Sequence, residues 1–181
     1  MPQQNLLLAS PSKPQIQPPI QRSIIAMSSR PQVPSPQKGI QPKMTWLDIP
    51  TLAKIEVSSA DDLFPIDHAF LPTPTTGWRA ATTGPQTLRL IFHTPQPILH
   101  IHIHITDRVA ERMQQFTLIA DGAVLLRQQF TFSPHGTTEE IEDYTVDLHA
   151  LRILELQIDP DRAHIPANSQ HFATLTALRL A

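Results

Sequence analysis

His100, His102 and His104 stand at alternate positions, and that spacing is the sharpest chemical pattern in the chain. In an extended strand, alternate side chains share one face about 6.5 to 7 Å apart. Two neighbouring imidazoles placed this way can share a zinc, nickel or copper ion, whose bonds are about 2 Å long. Three such ligands on one straight strand are strained, so a metal would draw in His93 or a carboxylate from a neighbouring strand. The simpler expectation is a row of solvent-facing residues on an outer strand. With ordinary pKa values of about 6.5, the three imidazoles would also respond to mild acid.

A second constellation is Arg112, Arg127, Glu139, Glu140, Glu142 and Asp143. Four acids within five positions of one strand repel one another, and arginine neutralises carboxylates well by bidentate pairing. Internal ion pairing is therefore expected. Calcium, which needs six to eight oxygen ligands, is the rival occupant, and Asp61 and Asp62 are a rival calcium position. No loop with EF-hand spacing is present.

Motifs for catalysis are lacking. The chain has no Gly-x-Ser-x-Gly elbow, no phosphate-cradling glycine loop, no His-Glu-x-x-His and no dinucleotide fingerprint. Cysteine is absent, which removes disulfides, thiolate zinc sites and cysteine nucleophiles together. The expectation is a protein without enzymatic activity or cofactor.

The elements that must position these groups begin after an unusual leader. Residues 1–43 hold nine prolines, eight glutamines and no aromatic side chain. Such a segment cannot bury enough apolar surface to offset a backbone ordering cost of about 1 to 2 kcal/mol per residue. It is expected to be a disordered arm, either a tether or a gene-boundary product upstream of a start at Met44. The arm carries a charge of +5 and the remainder −7. Five scattered basic residues make a sparse, solvated coil, so neither a nucleic-acid nor a membrane partner is expected. No run approaches the roughly 18 to 20 apolar residues that cross a bilayer, and a soluble, cytoplasmic protein is anticipated.

From Ala53 onward, short apolar runs alternate with Pro, Gly and Asp punctuation, as in all-β sandwiches. The expected strands are Lys54 to Val57, Thr87 to His93, Ile98 to Ile105, Met113 to Ala120, Val124 to Phe132, Glu140 to Leu148, Leu151 to Ile158 and Thr174 to Leu180. Two show a clear period of two. Leu88, Leu90 and Phe92 share a face in one; in the other, Ile101, Ile103 and Ile105 oppose the histidines. Asp121-Gly122 predicts a tight hairpin, and Ser133 to Gly136 a turn. Eight strands suit an antiparallel jelly-roll β-sandwich over residues 44–181.

Within this frame, Val57-Ser-Ser-Ala-Asp-Asp-Leu-Phe-Pro-Ile-Asp-His-Ala-Phe, then Gly77-Trp78-Arg79-Ala80, then Gln86-Thr-Leu-Arg-Leu-Ile-Phe resembles the opening of discoidin domains, also called galactose-binding-like or coagulation factor type C domains. The stretch from Arg112 through Tyr144 resembles an uncharacterised bacterial branch of that fold. The resemblance implies a non-catalytic recognition module, with a carbohydrate or protein ligand and a ligand mouth at Asp61, Asp67, His68, Trp78 and Arg79. It implies that Trp78 packs into the end of the sandwich, with a sugar platform as the second reading. The alternative function is a protein-interaction or assembly subunit that uses a sheet face. Extracellular members commonly tie their termini by a disulfide, and the lack of cysteine here favours an intracellular member.

Overall fold

Proline at positions 95 and 97 shapes the longest strand of the molecule. A computed structural model describes residues 44–73, 76–166 and 171–181; the expected disordered arm, residues 1–43, lies outside the described residues. Among these, eight strands form: β1 (Ala53–Val57), β2 (Trp78–Thr83), β3 (Gln86–Thr106), β4 (Arg112–Ala120), β5 (Ala123–Phe132), β6 (Glu139–Asp159), β7 (Phe172–Leu175) and β8 (Ala177–Leu180). The unit Pro42–Ala181 contains all of them.

β3 and β6 are each 21 residues long and pair with one another along their length. Two pairs of expected strands are thus single strands that bend. A proline lacks an N–H and breaks the ladder, but its fixed φ is compatible with extended backbone. The β3–β6 register accordingly shifts between Ile91 and Gln96, again before Ile98 and again before His100, while the chain continues extended.

On one side of the bend β3 pairs with β1, and β6 pairs with β4, which carries β5. On the other side β3 lies between the first half of β6 and β8. The expected final strand, Thr174 to Leu180, divides at Thr176, whose N–H donates to the His104 carbonyl at 2.8 Å. β7 pairs with β2 and β8 with β3, so the chain changes sheets there.

One core fills the space between the layers. Leu88, Leu90, Phe92, Ile101, Ile103 and Ile105 of β3 are buried, and so are Phe116 and Leu118 of β4 and Leu154, Leu156 and Ile158 of β6. The period-two expectation holds in both halves of β3. Asp121 (φ 46°) and Gly122 (φ 84°) form the two-residue hairpin between β4 and β5, with left-handed conformations at both positions matching the strand twist. Ser133 to Gly136 turns as expected, with the Gly136 N–H on the Ser133 carbonyl at 3.0 Å.

A candidate binding mouth at one end of the sandwich

Gly77 decides where the expected ligand-mouth residues sit. Its φ is +67°, and a Cβ there would lie 2.5 Å from the Leu175 carbonyl oxygen and 2.6 Å from the Thr176 Cα. Only glycine permits this close approach of β2 to β7. Gly77-Trp78-Arg79, outside every expected strand, is the entry to β2, with Trp78 opposite Leu175 and Arg79 opposite Thr174.

Alternation then sends Trp78 inward and Arg79 outward. Trp78 is 1% exposed, and its indole N–H donates to the Ser59 carbonyl at 3.1 Å. The tryptophan therefore supports the mouth from beneath. Arg79 is joined to the loop after β1 by three contacts. Its N–H donates to the Phe64 carbonyl (3.1 Å), its carbonyl accepts from the Asp61 N–H (2.9 Å), and its Nη2 meets Asp61 Oδ2 at 2.5 Å. The guanidinium also lies over the Phe64 ring, 4.2 Å from the centroid. The Arg79 hydrogen bond, followed by the Leu63 N–H on Asp61 Oδ1, holds the Asp61 carboxyl below its ordinary range.

Asp61 and Arg79 are thus brought together. Asp67 and His68 lie on the neighbouring 3-10 turn, Ile66–Phe70. Asp67 is exposed, and His68 Nδ1 is 3.0 Å from the Thr76 hydroxyl. The serine pair of the sequence motif braces the mouth from within. Ser58 and Ser59 donate to Oε1 of buried Gln86 at 2.6 and 2.8 Å, tying the loop to the start of β3.

Beside Arg79 opens a cavity of about 250 Å³, whose wall includes Asp107, Arg108, Arg112, His171 and Thr174. Arg112 is 3% exposed. Its Nε donates to Asp107 Oδ2 at 2.5 Å and its Nη2 to the Phe172 carbonyl at 2.9 Å, while Nη1 has no partner among the described residues. Gln114 donates to the same Asp107 oxygen at 2.6 Å. A second cavity, about 280 Å³, shares His171 and is bounded by Gly84, Asp159, Asp161 and His164. Sequence reasoning missed Asp107, Arg108 and His171. Asp107 and Arg108 are neighbours in the chain but His171 is distant from both, and only the short spacing of Asp107 from Arg112 hinted at a pair.

The acid–arginine constellation is assembled differently from expectation. Arg112 pairs with Asp107, and Arg127 Nε donates to the Thr117 hydroxyl at 3.3 Å. The acids of β6 alternate between faces, so they do not all confront one another. Glu139 and Asp143 meet His104 and His102 on the outer face, whereas Glu142 accepts from Gln128 at 3.0 Å.

The histidine row does face outward, opposite the isoleucines, but on a strand flanked by β6 and β8 rather than on an outer one. His102 Nδ1 lies 2.7 Å from Asp143 Oδ1, and His104 Nε2 lies 2.5 Å from Glu139 Oε1. The Trp46 ring packs beside His102 at 5.9 Å. Among the described residues no group of three or more His, Asp or Glu side chains stands close enough to hold a metal ion. The straight strand holds the histidines apart, and two of them turn to separate carboxylates.

The antiparallel strands form a β-sandwich whose fold is similar to that of two family 32 carbohydrate-binding modules. The chain is similar to CBM32-3 from a family 31 glycoside hydrolase of Clostridium perfringens, with a TM-score of 0.53 and 11% identity over 75% of this chain and 93% of that one. It is also similar to the CBM32 of AlyQ solved in complex with 4,5-unsaturated mannuronic acid, with a TM-score of 0.50 and 12% identity over 76% and 98% of the two chains. No protein-family model and no curated protein sequence matches the chain. At these identities the likeness is one of fold.

Proposed function

We propose that this domain is a non-catalytic carbohydrate-binding module of the discoidin-like type, with its mouth at the loop end that carries Asp61, Asp67, His68 and Arg79 over Trp78. One observation carries this reading: a small cavity lined by Arg79, Arg108 and Arg112 opens at the loop end of a sandwich. Convergent hydrogen-bonding groups in a small concave site are what recognition of a hydroxyl-rich ligand needs. The two similar modules are carbohydrate-binding by name, and one was solved with a sugar acid. Trp78 acts here as the floor that sets Arg79, not as a stacking surface.

A glycan array with the full chain tests the reading. A saturable signal is expected, lost in Arg79→Ala while the variant remains folded. A silent array, or equal binding by the variant, rejects it.

A second reading, a protein partner on the outer sheet face, is favoured by Ile141. This side chain is 53% exposed and sits opposite His104. Pull-down by wild type that is lost in Ile141→Lys is its expected signature.

A further inference from the structure

We infer that the cavity beside Arg79 receives the negatively charged group of an anionic sugar, a carboxylate or a sulfate ester. This deepens the carbohydrate reading and rests on it.

The charge around the cavity is unequal. Arg79, Arg108 and Arg112 line it together with His171, and Asp107 is the only carboxylate among the described residues of the wall. Arg112 is matched by Asp107, and Arg79 by Asp61, which lies outside the wall. Arg108 has no such counterpart. All sixteen acidic residues of the chain lie among the described residues, and none of the ion pairs formed there involves Arg108. Three guanidiniums, of which that of Arg108 is exposed, thus stand at the cavity against the carboxylates of Asp107 and Asp61.

The donors are unequal as well. Arg112 Nη1 and Arg79 Nε are both buried and without a hydrogen-bond partner among the described residues. Buried guanidinium N–H groups in native proteins almost always find an acceptor, and Arg112, a wall residue only 3% exposed, leaves one such donor unmatched. Guanidinium groups match the oxygens of carboxylates and sulfate-like groups in geometry as well as charge. A neutral hydroxyl would satisfy a donor without matching the excess of guanidinium groups in the wall. The cavity volume, about 250 Å³, limits the occupant to something near a single sugar ring.

Calorimetry on the full chain tests this with uronate trisaccharides, their methyl esters, sulfated galactotriose and plain galactotriose. A uronate or sulfated ligand is expected to bind at least about tenfold more tightly than its ester or neutral counterpart, the worth of one charge-assisted hydrogen bond. The preference should shrink as NaCl is raised. Arg108→Gln, an exposed change that leaves the buried pair intact, is expected to remove most of the preference, and Arg112→Lys to weaken binding further if it folds. Preference for uronates over sulfates, or the reverse, identifies which anion is read.

Equal binding of charged and neutral ligands, or a preference unchanged in Arg108→Gln, overturns the inference while leaving the carbohydrate reading standing. Absence of binding by every ligand overturns the inference, and the glycan array then judges the wider reading separately.

Discussion

The Arg79 guanidinium and the Asp61 carboxylate meet at 2.5 Å across the end of the sandwich, joining β2 to the loop that follows β1. Both groups keep partial exposure, 38% and 25% of their side chains, so the contact serves position more than stability. Exposed pairs of this kind contribute little to stability.

The pair makes stability depend on acid in a defined direction. The folded Asp61 carboxyl titrates below its ordinary value of 3.8. Its contribution is therefore complete above the unfolded pKa and disappears as pH falls through the folded one. Denaturation midpoints measured from about pH 6 down to about pH 2 should fall more steeply for wild type than for Asp61→Asn, with the two curves converging at the acid end. Parallel curves would show that the carboxylate is not held by Arg79.

Gly77 and Gly84 provide a matched comparison. Both have positive φ, +67° and +82°, but a Cβ at Gly84 meets nothing within 4 Å. Gly84→Ala should cost about 1 kcal/mol from backbone conformation alone. Gly77→Ala adds a clash with the Leu175 backbone, and a loss of at least about 2 kcal/mol is expected. Urea denaturation of the two variants separates the terms.

Asp107 and Arg112 form a buried pair, with side chains 1% and 2% exposed. Asp107→Ala strands a buried guanidinium and should cost about 3 to 5 kcal/mol. Replacing both, as Asp107→Leu with Arg112→Met, removes the stranded charge and should recover much of that loss in urea denaturation. If the double variant were no better than the single one, the guanidinium would owe its place to the Phe172 carbonyl instead.

The outer histidine row gives a prediction about metal. His102 and His104 are engaged with Asp143 and Glu139, one carboxylate each. Zinc titrated into wild type and into His102→Ala should give equally weak heats. A saturable wild-type isotherm that the substitution abolishes would instead assign a metal to this face.

Much of the fold was legible because β-structure writes its burial into every second residue. Leu88, Leu90 and Phe92, and the isoleucines of the second half of β3, are readable as one face from their spacing alone. The Asp121-Gly122 hairpin is equally local, since two left-handed residues in a row have few sequence solutions. Of the candidate mouth, the family resemblance named Asp61, Asp67, His68, Trp78 and Arg79, and the structure brings Asp61 and Arg79 into contact.

What pattern could not decide was the joining of elements. Whether Pro95 and Pro97 end a strand or bend it depends on whether β6 follows the same corner, and whether Thr176 continues a strand depends on the His104 carbonyl it meets. The direction of Arg112, toward Asp107 instead of the acids of β6, was likewise set by packing at the loop end. Alternation is a property of the backbone and is carried by the sequence alone; charge partners and cavities arise from residues far apart in the chain, and only the closed sandwich brings them within reach.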